Sequence, residues 1–385
     1  MSKKAKKIIY LDYAAATPLD QEAYKLMSPY YSLSFYNPSS SYAPAREIKA
    51  ILDQARTTVA QVLSAKSNEI IFTAGGSEAN NLAISGIMDS FKNKKLVISA
   101  IEHESIRESA KQYNYLEIGV DHFGRLDIDN LVKALTDDEI VLVSIIYANN
   151  EIGTIQDLAQ ISRLIKATTL KRKLKGNTTP IYLHTDAAQA GNYLDLSTNR
   201  LGVDLLSING GKIYGPKQSG ALFVKSSVSL KPLIYGGGQE FGYRSGTENV
   251  AQDIGLAYSL NKAQLSRLQS RTDMQEKRQY FINELTKLLP NSIINGPTKH
   301  FLPNIVHLTI PGIDNEEILF GLDEHNICAS AGSACSAASV EPSHVLLATN
   351  MSAEDARSSI RFSMGRDTTK EELSYTATVL WKLVK

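Results

Sequence analysis

Short apolar runs alternate with longer amphipathic segments along most of the chain. The run at residues 140–146 is continuously apolar, as expected of a strand buried on both faces of a parallel sheet. Residues 45–63 place their apolar side chains on one face, which predicts a helix. The basic stretch 170–176 is expected to be a solvated connection. Further strands are predicted at 8–11, 70–72, 96–99, 181–183, 203–208 and 221–224, with a helix at 158–167. This rhythm predicts an open α/β sheet.

The pattern changes in the last third of the chain. A long helical region is predicted from about residue 250 to 288, and the stretch 291–303, rich in Pro, Asn and Gly, is typical of a domain boundary. Beyond it we predict strands at 305–308 and 359–362 and helices near 316–322 and 370–384. These elements favour a smaller α+β unit after the main sheet.

Composition narrows the classes of protein without choosing among enzymes. The 385 residues are 43% hydrophobic and 21% charged, the range of globular enzymes, and the net charge of +1 favours neither nucleic acid nor a membrane as partner. No apolar run near the N-terminus or elsewhere is typical of a signal peptide or a membrane span. The two cysteines, Cys328 and Cys335, do not form a disulfide framework, so we expect a reducing, cytoplasmic compartment.

Polar side chains stand where several predicted strands end. Ligands of open α/β sheets bind at the carboxyl ends of the strands, so these side chains are candidates for one site. Each alone is more often an ordinary turn residue, but the repetition at equivalent strand ends indicates a shared site. The candidates are His103, Asn149, Asp186, Gln189 and Lys212.

Lys212 stands after a predicted core strand and Gly210-Gly211. An amine held there suits a Schiff base with an aldehyde, and a surface lysine in a glycine turn is the ordinary alternative. Gly76 and Ser77, between a strand and a helix start, either offer N–H groups to a phosphate or close an ordinary turn. With Asp186 as carboxylate for a pyridine nitrogen, this set predicts pyridoxal 5'-phosphate as cofactor.

The stretch 327–338 is rich in Gly, Ser and Ala and contains both cysteines. We interpret it as a mobile loop that presents a thiol, with Cys335 in a Gly-Ser-Ala setting. No metal site is predicted, because the cysteines are poorly spaced and lack an accompanying ligand pair. Two inert cysteines are the alternative.

Motifs of moderate individual specificity follow one another over nearly the whole chain. They are Leu11-Asp12-Tyr13-Ala14-Ala15, Asn37-Pro38-Ser39-Ser40, Gly75-Gly76-Ser77-Glu78, Glu102-His103, Asn149-Asn150-Glu151-Ile152-Gly153, Asp186-Ala187-Ala188-Gln189, Lys212-Ile213-Tyr214-Gly215-Pro216-Lys217, Arg244-Ser245-Gly246-Thr247, Gly332-Ser333-Ala334-Cys335 and Ile360-Arg361-Phe362-Ser363. In this order they resemble the pyridoxal phosphate-dependent cysteine desulfurases of the NifS/IscS group, in the class V aminotransferase superfamily.

The resemblance implies an α/β structure of fold-type I. A large domain with a mostly parallel seven-stranded sheet would bind the cofactor, and a smaller α+β C-terminal domain would carry the cysteine loop. We predict an N-terminal segment, 1–18, packed on the small domain, a large domain over 19–260 and a small domain over 261–385.

The resemblance also implies roles around the cofactor ring. Lys212 would form the Schiff base and shuttle protons, and Asp186 would pair with the pyridinium nitrogen. Gln189 would donate a hydrogen bond to the phenolic oxygen, and His103 would stack on the ring and assist acid–base steps. The phosphate would be held by Gly76, Ser77 and Asn209.

The remaining implied roles concern the substrate and a second subunit. Arg361 would bind the carboxylate of L-cysteine through its guanidinium fork, and Asn149 would contact the cofactor or that carboxylate. Cys335 would accept the sulfur as a persulfide and release L-alanine. Thr247 would reach the phosphate of a neighbouring subunit, which implies a homodimer. The persulfide would serve a sulfur-acceptor or iron–sulfur scaffold protein, for iron–sulfur clusters or tRNA thiolation.

Departures from the family pattern surround the predicted phosphate site. Asn209 and Gly211 stand where the family usually has Ser and His, and Gly211 offers only its backbone. Phe241 replaces a usual Arg, and Tyr42 a frequent His. We therefore expect cofactor binding that is looser than usual, or that uses other groups.

Other functions fit parts of the pattern. A selenocysteine lyase or another class V enzyme is the nearest alternative, although an aminotransferase needs no mobile thiol like Cys335. The alternative outside the enzymes is a degenerate, non-catalytic protein that only binds a scaffold partner. The joint presence of Lys212, Asp186, Cys335 and Arg361 argues against it.

Overall fold

The computed structural model describes residues 7–332 and 341–385. The strands in these ranges are β1 Ile9–Tyr10, β2 Ile70–Thr73, β3 Lys95–Ser99, β4 Asn114–Ile118, β5 Ile140–Ser144, β6 Tyr182–Asp186, β7 Leu205–Asn209, β8 Gly220–Val224, β9 Ile293–Asn295, β10 Ile305–Thr309, β11 Ile327–Cys328 and β12 Ser359–Ser363. The α-helices are α1 Gln21–Met27, α2 Ala43–Leu63, α3 Gly76–Met88, α4 Glu104–Ala110, α5 Ile128–Ala134, α6 Leu158–Leu174, α7 Thr198–Leu201, α8 Val250–Leu265, α9 Arg267–Leu288, α10 Asn315–Glu324, α11 His344–Ala348, α12 Ala353–Arg357 and α13 Lys370–Leu383.

The central sheet has seven strands in the order β2-β8-β7-β6-β5-β3-β4. All neighbouring pairs from β7 to β4 are parallel, whereas β8 runs antiparallel to both β7 and β2. Every residue of β5 is buried, because both faces of the sheet are covered, and this explains the continuous apolar run at 140–146. The predicted α/β class with a mostly parallel seven-stranded sheet is confirmed.

A smaller α+β unit follows the central sheet in the chain. Its antiparallel sheet has the order β12-β10-β9, and α9, α10 and α13 pack around it and one another. The N-terminal strand β1 pairs in parallel with β11 through Ile9 to Ile327 and Tyr10 to Cys328. The division at residues 18 and 260 stays a prediction. None of the helices in the described ranges is long and apolar enough to cross a membrane.

Two local predictions were wrong where tertiary contacts decide the structure. The basic stretch 170–176 was expected to be a solvated connection, yet α6 continues to Leu174. Arg172 is buried there and donates from Nη1 to the carbonyl oxygen of Ile140 at 2.8 Å, at the start of β5. The stretch 327–338 was expected to be a loop throughout, but Ile327–Cys328 is strand β11, because β1 offers it a partner.

Candidate active site

One cavity opens at the carboxyl ends of the central parallel strands. Together with the solvent at its mouth, it contains about 590 Å³ of space free of protein atoms. Residues far apart in the chain meet here because parallel strands end at the same edge of the sheet. The predicted site residues that line it are Gly76, Ser77, His103, Asp186, Gln189, Asn209, Lys212 and Arg361.

A tight turn after β7 positions the lysine. Gly210–Lys212 forms a single turn of 3₁₀ helix, and the Asn209 side chain caps it by accepting from the N–H of Gly211 at 3.0 Å. A Cβ on Gly210 would lie 2.1 Å from Ser219 Oγ, so a larger residue does not fit. The expectation that glycine removes bulk beside the lysine is met at this position.

The lysine amine lies against the N-terminal segment of the chain. Lys212 Nζ donates to the carbonyl oxygens of Ala14 at 2.8 Å and Ala15 at 2.6 Å. Gln189 Nε2 donates to the same Ala14 carbonyl at 2.9 Å. The small residues that follow β1 thus contribute backbone acceptors to the cavity, which their side chains alone did not indicate.

Asp186, the last residue of β6, is a buried and firmly oriented carboxylate. Its Oδ2 accepts from Asn80 Nδ2 at 2.7 Å, and its Oδ1 accepts from the Ala188 N–H at 2.9 Å. Asn80 was missed by sequence reasoning. Its position four residues after Gly76 on α3 places it on the cavity side of that helix, and this spacing was the available signal.

The start of α3 forms a backbone cradle on the cavity wall. Gly75 has φ of +140°, which favours glycine, and Gly76 begins the helix without a side-chain cap, so its first N–H groups are open to a ligand. A second opening beside it is also lined by Asn209, Gly211 and Lys217. A Cβ on Gly211 would meet nothing closer than 3.4 Å, so the missing histidine leaves open space rather than a filled site.

His103 caps α4 and presents its ring to the cavity. Its Nδ1 accepts from the Ser105 N–H at 3.1 Å, so the neutral ring has its proton on Nε2. Beneath it Glu102 is fully buried, with Oε1 accepting from the Ile146 N–H at 2.7 Å and from Ser99 Oγ. Burial raises the pKa of Glu102 to about 8, against the Ser99 hydrogen bond that lowers it. Glu102 is therefore protonated at neutral pH.

Arg361, on β12, brings a guanidinium from the smaller sheet into the cavity. Only 1% of its surface is exposed. Its Nη2 donates to Asp12 Oδ1 at 2.7 Å and its Nη1 to the Asn150 carbonyl oxygen at 3.0 Å. Its Nε is buried and has no hydrogen-bond partner among the described residues, and each Nη has a second N–H beyond the contact named here. Asp12 thus orients the arginine, a role not predicted from its motif.

Two predicted site residues do not line the cavity. The buried Asn149 side chain donates to the Ile101 carbonyl oxygen at 3.1 Å and accepts from the N–H groups of Glu151 and Ile152. It therefore holds its own loop, and its neighbour Asn150 lines the cavity instead. Thr247 is exposed and away from the lining, and its predicted contact needs a second subunit.

The predicted nucleophile Cys335 lies in 333–340, outside the described residues. The residues flanking that segment approach Glu151, next to the cavity-lining Asn150: Ser343 Oγ donates to Glu151 Oε2 at 2.6 Å, and a Cβ on Gly332 would lie 3.0 Å from the same oxygen. Cys328 is in β11, and burial raises the pKa of its thiol. Within the described ranges, no cluster of three His, Cys, Asp or Glu side chains is arranged to hold a metal ion.

The other departures from the family pattern lie away from the cavity. Phe241 is exposed, and its ring centre is 5.1 Å from the guanidinium carbon of Arg56. Tyr42 is half-exposed at the start of α2, edge-on to Tyr36 at 6.2 Å. Neither ring lines the cavity or the opening beside the cradle.

The fold and cavity define an α/β protein with a small-molecule site built around a lysine, a buried carboxylate and a helix N-terminus. The chain belongs to the class-V aminotransferase family, which it matches over residues 9–375. This confirms the resemblance predicted from the motifs, and with it that the chain is an enzyme.

Individual relatives match over almost their whole length. The chain is 42% identical to the cysteine desulfurase IscS of Dictyoglomus turgidum, over 99% of this chain and 95% of that protein. A solved NifS-like protein matches with a TM-score of 0.88 at 28% identity, covering 98% of this chain and 99% of that one. A structure described as SspA in complex with cysteine matches with a TM-score of 0.78 at 32% identity, covering 92% of this chain and 98% of that one.

Proposed function

We propose that the chain is a pyridoxal phosphate-dependent cysteine desulfurase that converts L-cysteine to L-alanine and forms a persulfide on Cys335. The observation that carries this proposal is the convergence of Lys212, Asp186, His103 and Arg361 on one cavity. Two relatives support it: one at 42% identity is named for this activity, and one at 32% identity is described with cysteine bound.

The cavity has the groups that pyridoxal phosphate requires. Lys212 offers an amine, Asp186 a buried carboxylate oriented by Asn80, Gln189 an amide, and the start of α3 a row of open N–H groups. When bound, the cofactor supplies an electron sink for bonds at the substrate's α-carbon. The open space beside Gly211 supports the predicted looser grip on the phosphate.

The protein's own residues bind the substrate and move protons. The Arg361 guanidinium, held between Asp12 and the Asn150 carbonyl oxygen, binds the substrate carboxylate with N–H groups that these two contacts leave free. Lys212 takes and returns the proton at the α-carbon, and His103 donates or accepts through Nε2. These roles follow the positions of the side chains in the cavity.

Cys335 performs the sulfur transfer. Its thiolate attacks the sulfur of the bound cysteine, forming an S–S bond as the substrate's C–S bond breaks. The carbon keeps the electron pair, takes up a proton and becomes alanine. The flanking residues Gly332 and Ser343 lie against Glu151, beside the cavity, which supports this reach.

The persulfide then passes to a protein acceptor for iron–sulfur cluster assembly or tRNA thiolation. We also propose a homodimer, in which Thr247 of each subunit reaches the phosphate of the other, and a cytoplasmic location. The exposed position of Thr247 supports the dimer contact.

The deciding experiment incubates the purified protein with pyridoxal phosphate, L-cysteine and a thiol reductant, and measures sulfide and alanine. We expect equal amounts of both. The Cys335→Ala variant should lose sulfide release, and Lys212→Ala should lose both products. Cys328→Ala is the matched control, because Cys328 does not line the cavity.

The same assay separates the neighbouring activities. Alanine formed from L-selenocysteine by the Cys335→Ala variant, with no turnover of L-cysteine by the wild type, would identify a selenocysteine lyase instead. Sulfide release that survives Cys335→Ala would refute the persulfide on this cysteine. A lack of any turnover despite bound cofactor would favour the degenerate alternative.

A further inference from the structure

A second cavity lies behind the turn that carries Lys212. It is bounded by the junction of α8 and α9, the start of α1, the segment after β6 and Arg366, and shares no lining residue with the candidate active site. Together with the solvent at its mouth, it contains about 790 Å³ of space free of protein atoms. We call it the rear cavity.

Positive charge exceeds negative charge in the rear cavity. Its lining contains Lys262, Lys277 and Arg366 against Asp20 and Asp273. Asp273 is exposed and accepts from Gln269 Nε2 at 2.7 Å, so it lies at the solvent side. Lys262 and Arg366 are exposed as well, Lys277 is partly buried, and Asp20 is buried.

The carboxylate of Asp20 already has two cationic partners. Asp20 Oδ2 accepts from Lys262 Nζ at 2.9 Å and from Arg366 Nη1 at 2.7 Å. Burial alone raises the pKa of Asp20, but the hydrogen bonds from Arg366 and Lys262 hold it well below its usual range. Asp20 therefore stays ionised and is shared by two cations, and Arg366 has a second carboxylate near it, with its Nε 3.6 Å from Asp367 Oδ2.

Lys277 differs from the other two cations of the lining because it makes no direct ion pair with a described carboxylate. Its Nζ donates to the Arg366 carbonyl oxygen at 2.9 Å. The side chain is partly buried, and burial lowers the pKa of its ammonium group, against the raising influence of Asp273, Asp367 and Glu372 at longer range. An anion placed beside Nζ would give this ammonium group a direct ion pair.

The floor of the rear cavity is apolar and aromatic. Ile213, Tyr193, Tyr214 and Met274 line it and are all buried. An apolar body of a ligand would cover this floor, whereas a bare inorganic ion would leave it against water. The lining therefore suits an amphiphilic anion with one acidic group and an apolar part.

The walls of the rear cavity contact the backbone of the Lys212 turn. Asn192, a lining residue, donates from Nδ2 to the Lys212 carbonyl oxygen at 2.9 Å. Tyr214 stands two residues after Lys212 at φ of +59°, a conformation unusual for a side-chain-bearing residue, and its hydroxyl accepts from the Arg366 N–H at 2.8 Å. A ligand here would touch the structure that holds the lysine in place.

We propose that the rear cavity is a binding site for a small organic anion, with the acidic group on Lys277 and the apolar body on Tyr193 and Tyr214. A ligand in this site would lie next to the backbone that carries Lys212, and the site goes beyond the proposed reaction. Ligand binding can be measured without turnover, so a failure of this proposal can be distinguished from a failure of the proposed desulfurase activity.

Benzoate is the probe, measured by titration calorimetry on the full-length protein loaded with its cofactor. We expect saturable binding, with neutral benzamide and inorganic phosphate binding at least about tenfold more weakly. Lys277→Met should weaken benzoate binding by about tenfold or more, because it removes the charge and keeps the apolar stem. Lys277→Arg should retain most of it.

Lys287→Met, on the exposed side of the same helix α9, is the matched control and should bind like the wild type. Arg361 offers benzoate another place in the active site, so the difference between wild type and Lys277→Met isolates the rear cavity. Equal affinity of these two proteins, or no measurable binding to the wild type, would overturn the proposal. Unfolding midpoints of each variant show whether the fold is retained.

Discussion

At the scale of single residues, the least expected group is the carboxyl of Glu102. The pattern Glu102-His103 suggested only the histidine as a functional group. The structure places Glu102 in a fully buried position between the ends of β3 and β5, with Oε2 lacking a partner among the described residues. Its raised pKa means that the folded protein binds a proton which the unfolded chain releases at lower pH.

This difference makes stability depend on pH in a defined direction. The ordinary pKa of a glutamate is 4.5 and that of Glu102 in the folded protein is about 8, so only below about pH 4.5 is the carboxyl protonated in both the folded and the unfolded chain. Between them, stability falls with rising pH by about 1.4 kcal/mol per pH unit, and above about pH 8 the loss is complete. Glu102→Gln, which has no such proton, should gain stability relative to wild type across this window.

Urea unfolding of both proteins at several pH values between about 5 and 8.5 measures this difference. Glu276→Gln, at an exposed position on α9, is the control and should follow the wild type. If the difference between Glu102→Gln and wild type does not change with pH, Glu102 does not titrate in this range.

At the scale of elements, a buried ion pair connects parts of the chain that form no common sheet or helix. Arg56 of α2 donates from Nη1 and Nη2 to Glu240 at 2.6 Å each, and Glu240 Oε2 accepts from the Phe72 N–H of β2 at 2.7 Å. The Arg56 guanidinium also lies over the rings of Phe72 and Phe241. One carboxylate thus holds a helix, an edge strand and a turn together.

Removing one partner of this pair should destabilise the protein strongly. Glu240→Gln removes the carboxylate that is paired with the buried Arg56 guanidinium, and we expect a loss of about 3–5 kcal/mol of unfolding free energy in urea. The double variant Arg56→Met with Glu240→Leu should lose less than Glu240→Gln alone, because no buried charge remains.

Glu22→Gln is the control for this prediction. Glu22 pairs with Lys25 at 2.8 Å, but both side chains are largely exposed, so stability should stay unchanged. If the double variant is less stable than Glu240→Gln, the prediction is wrong, and the ion pair itself contributes more to the free energy of unfolding than the absence of an unpaired buried charge does.

At the scale of the whole molecule, exposed aromatic and aliphatic side chains precede α2. Leu33 is 76% exposed and Phe35 is 67% exposed, and Phe35 stacks on Tyr36 with ring centroids 4.9 Å apart. Apolar surface of this kind is typical of an interaction surface. We assign it to the proposed homodimer.

The double variant Leu33→Glu with Phe35→Glu should therefore shift the protein from dimer to monomer, because it places charge in an apolar contact. Sedimentation equilibrium measures the masses. Leu265→Glu, at another position that is 81% exposed, is the control and should remain dimeric. A wild type that is monomeric, or a double variant with the mass of a dimer, would contradict the assignment.

The elements differed in how far the sequence could predict them. Helix α2 and strand β5 were predicted within a few residues, because their apolar periodicity is set by burial of the element itself. Strand β4 was missed because four of its five residues are exposed and show no apolar run. The end of α6 was missed because the burial of Arg172 depends on a carbonyl group of β5.

The sequence alone determined the α/β class, and it predicted the strand ends as the place of the site, with the lysine, the carboxylate and the glycine cradle as its chemical groups. These follow from local patterns and motif order, which involve neighbouring residues in the chain. Only the tertiary structure decided that Asp12 orients Arg361, that Asn80 orients Asp186, that Asn149 holds its own loop, and that a charged cavity lies behind Lys212. The physical reason is distance along the chain: Asp12 and Arg361 are 349 residues apart, and no local pattern records which residues the sheet topology will bring together.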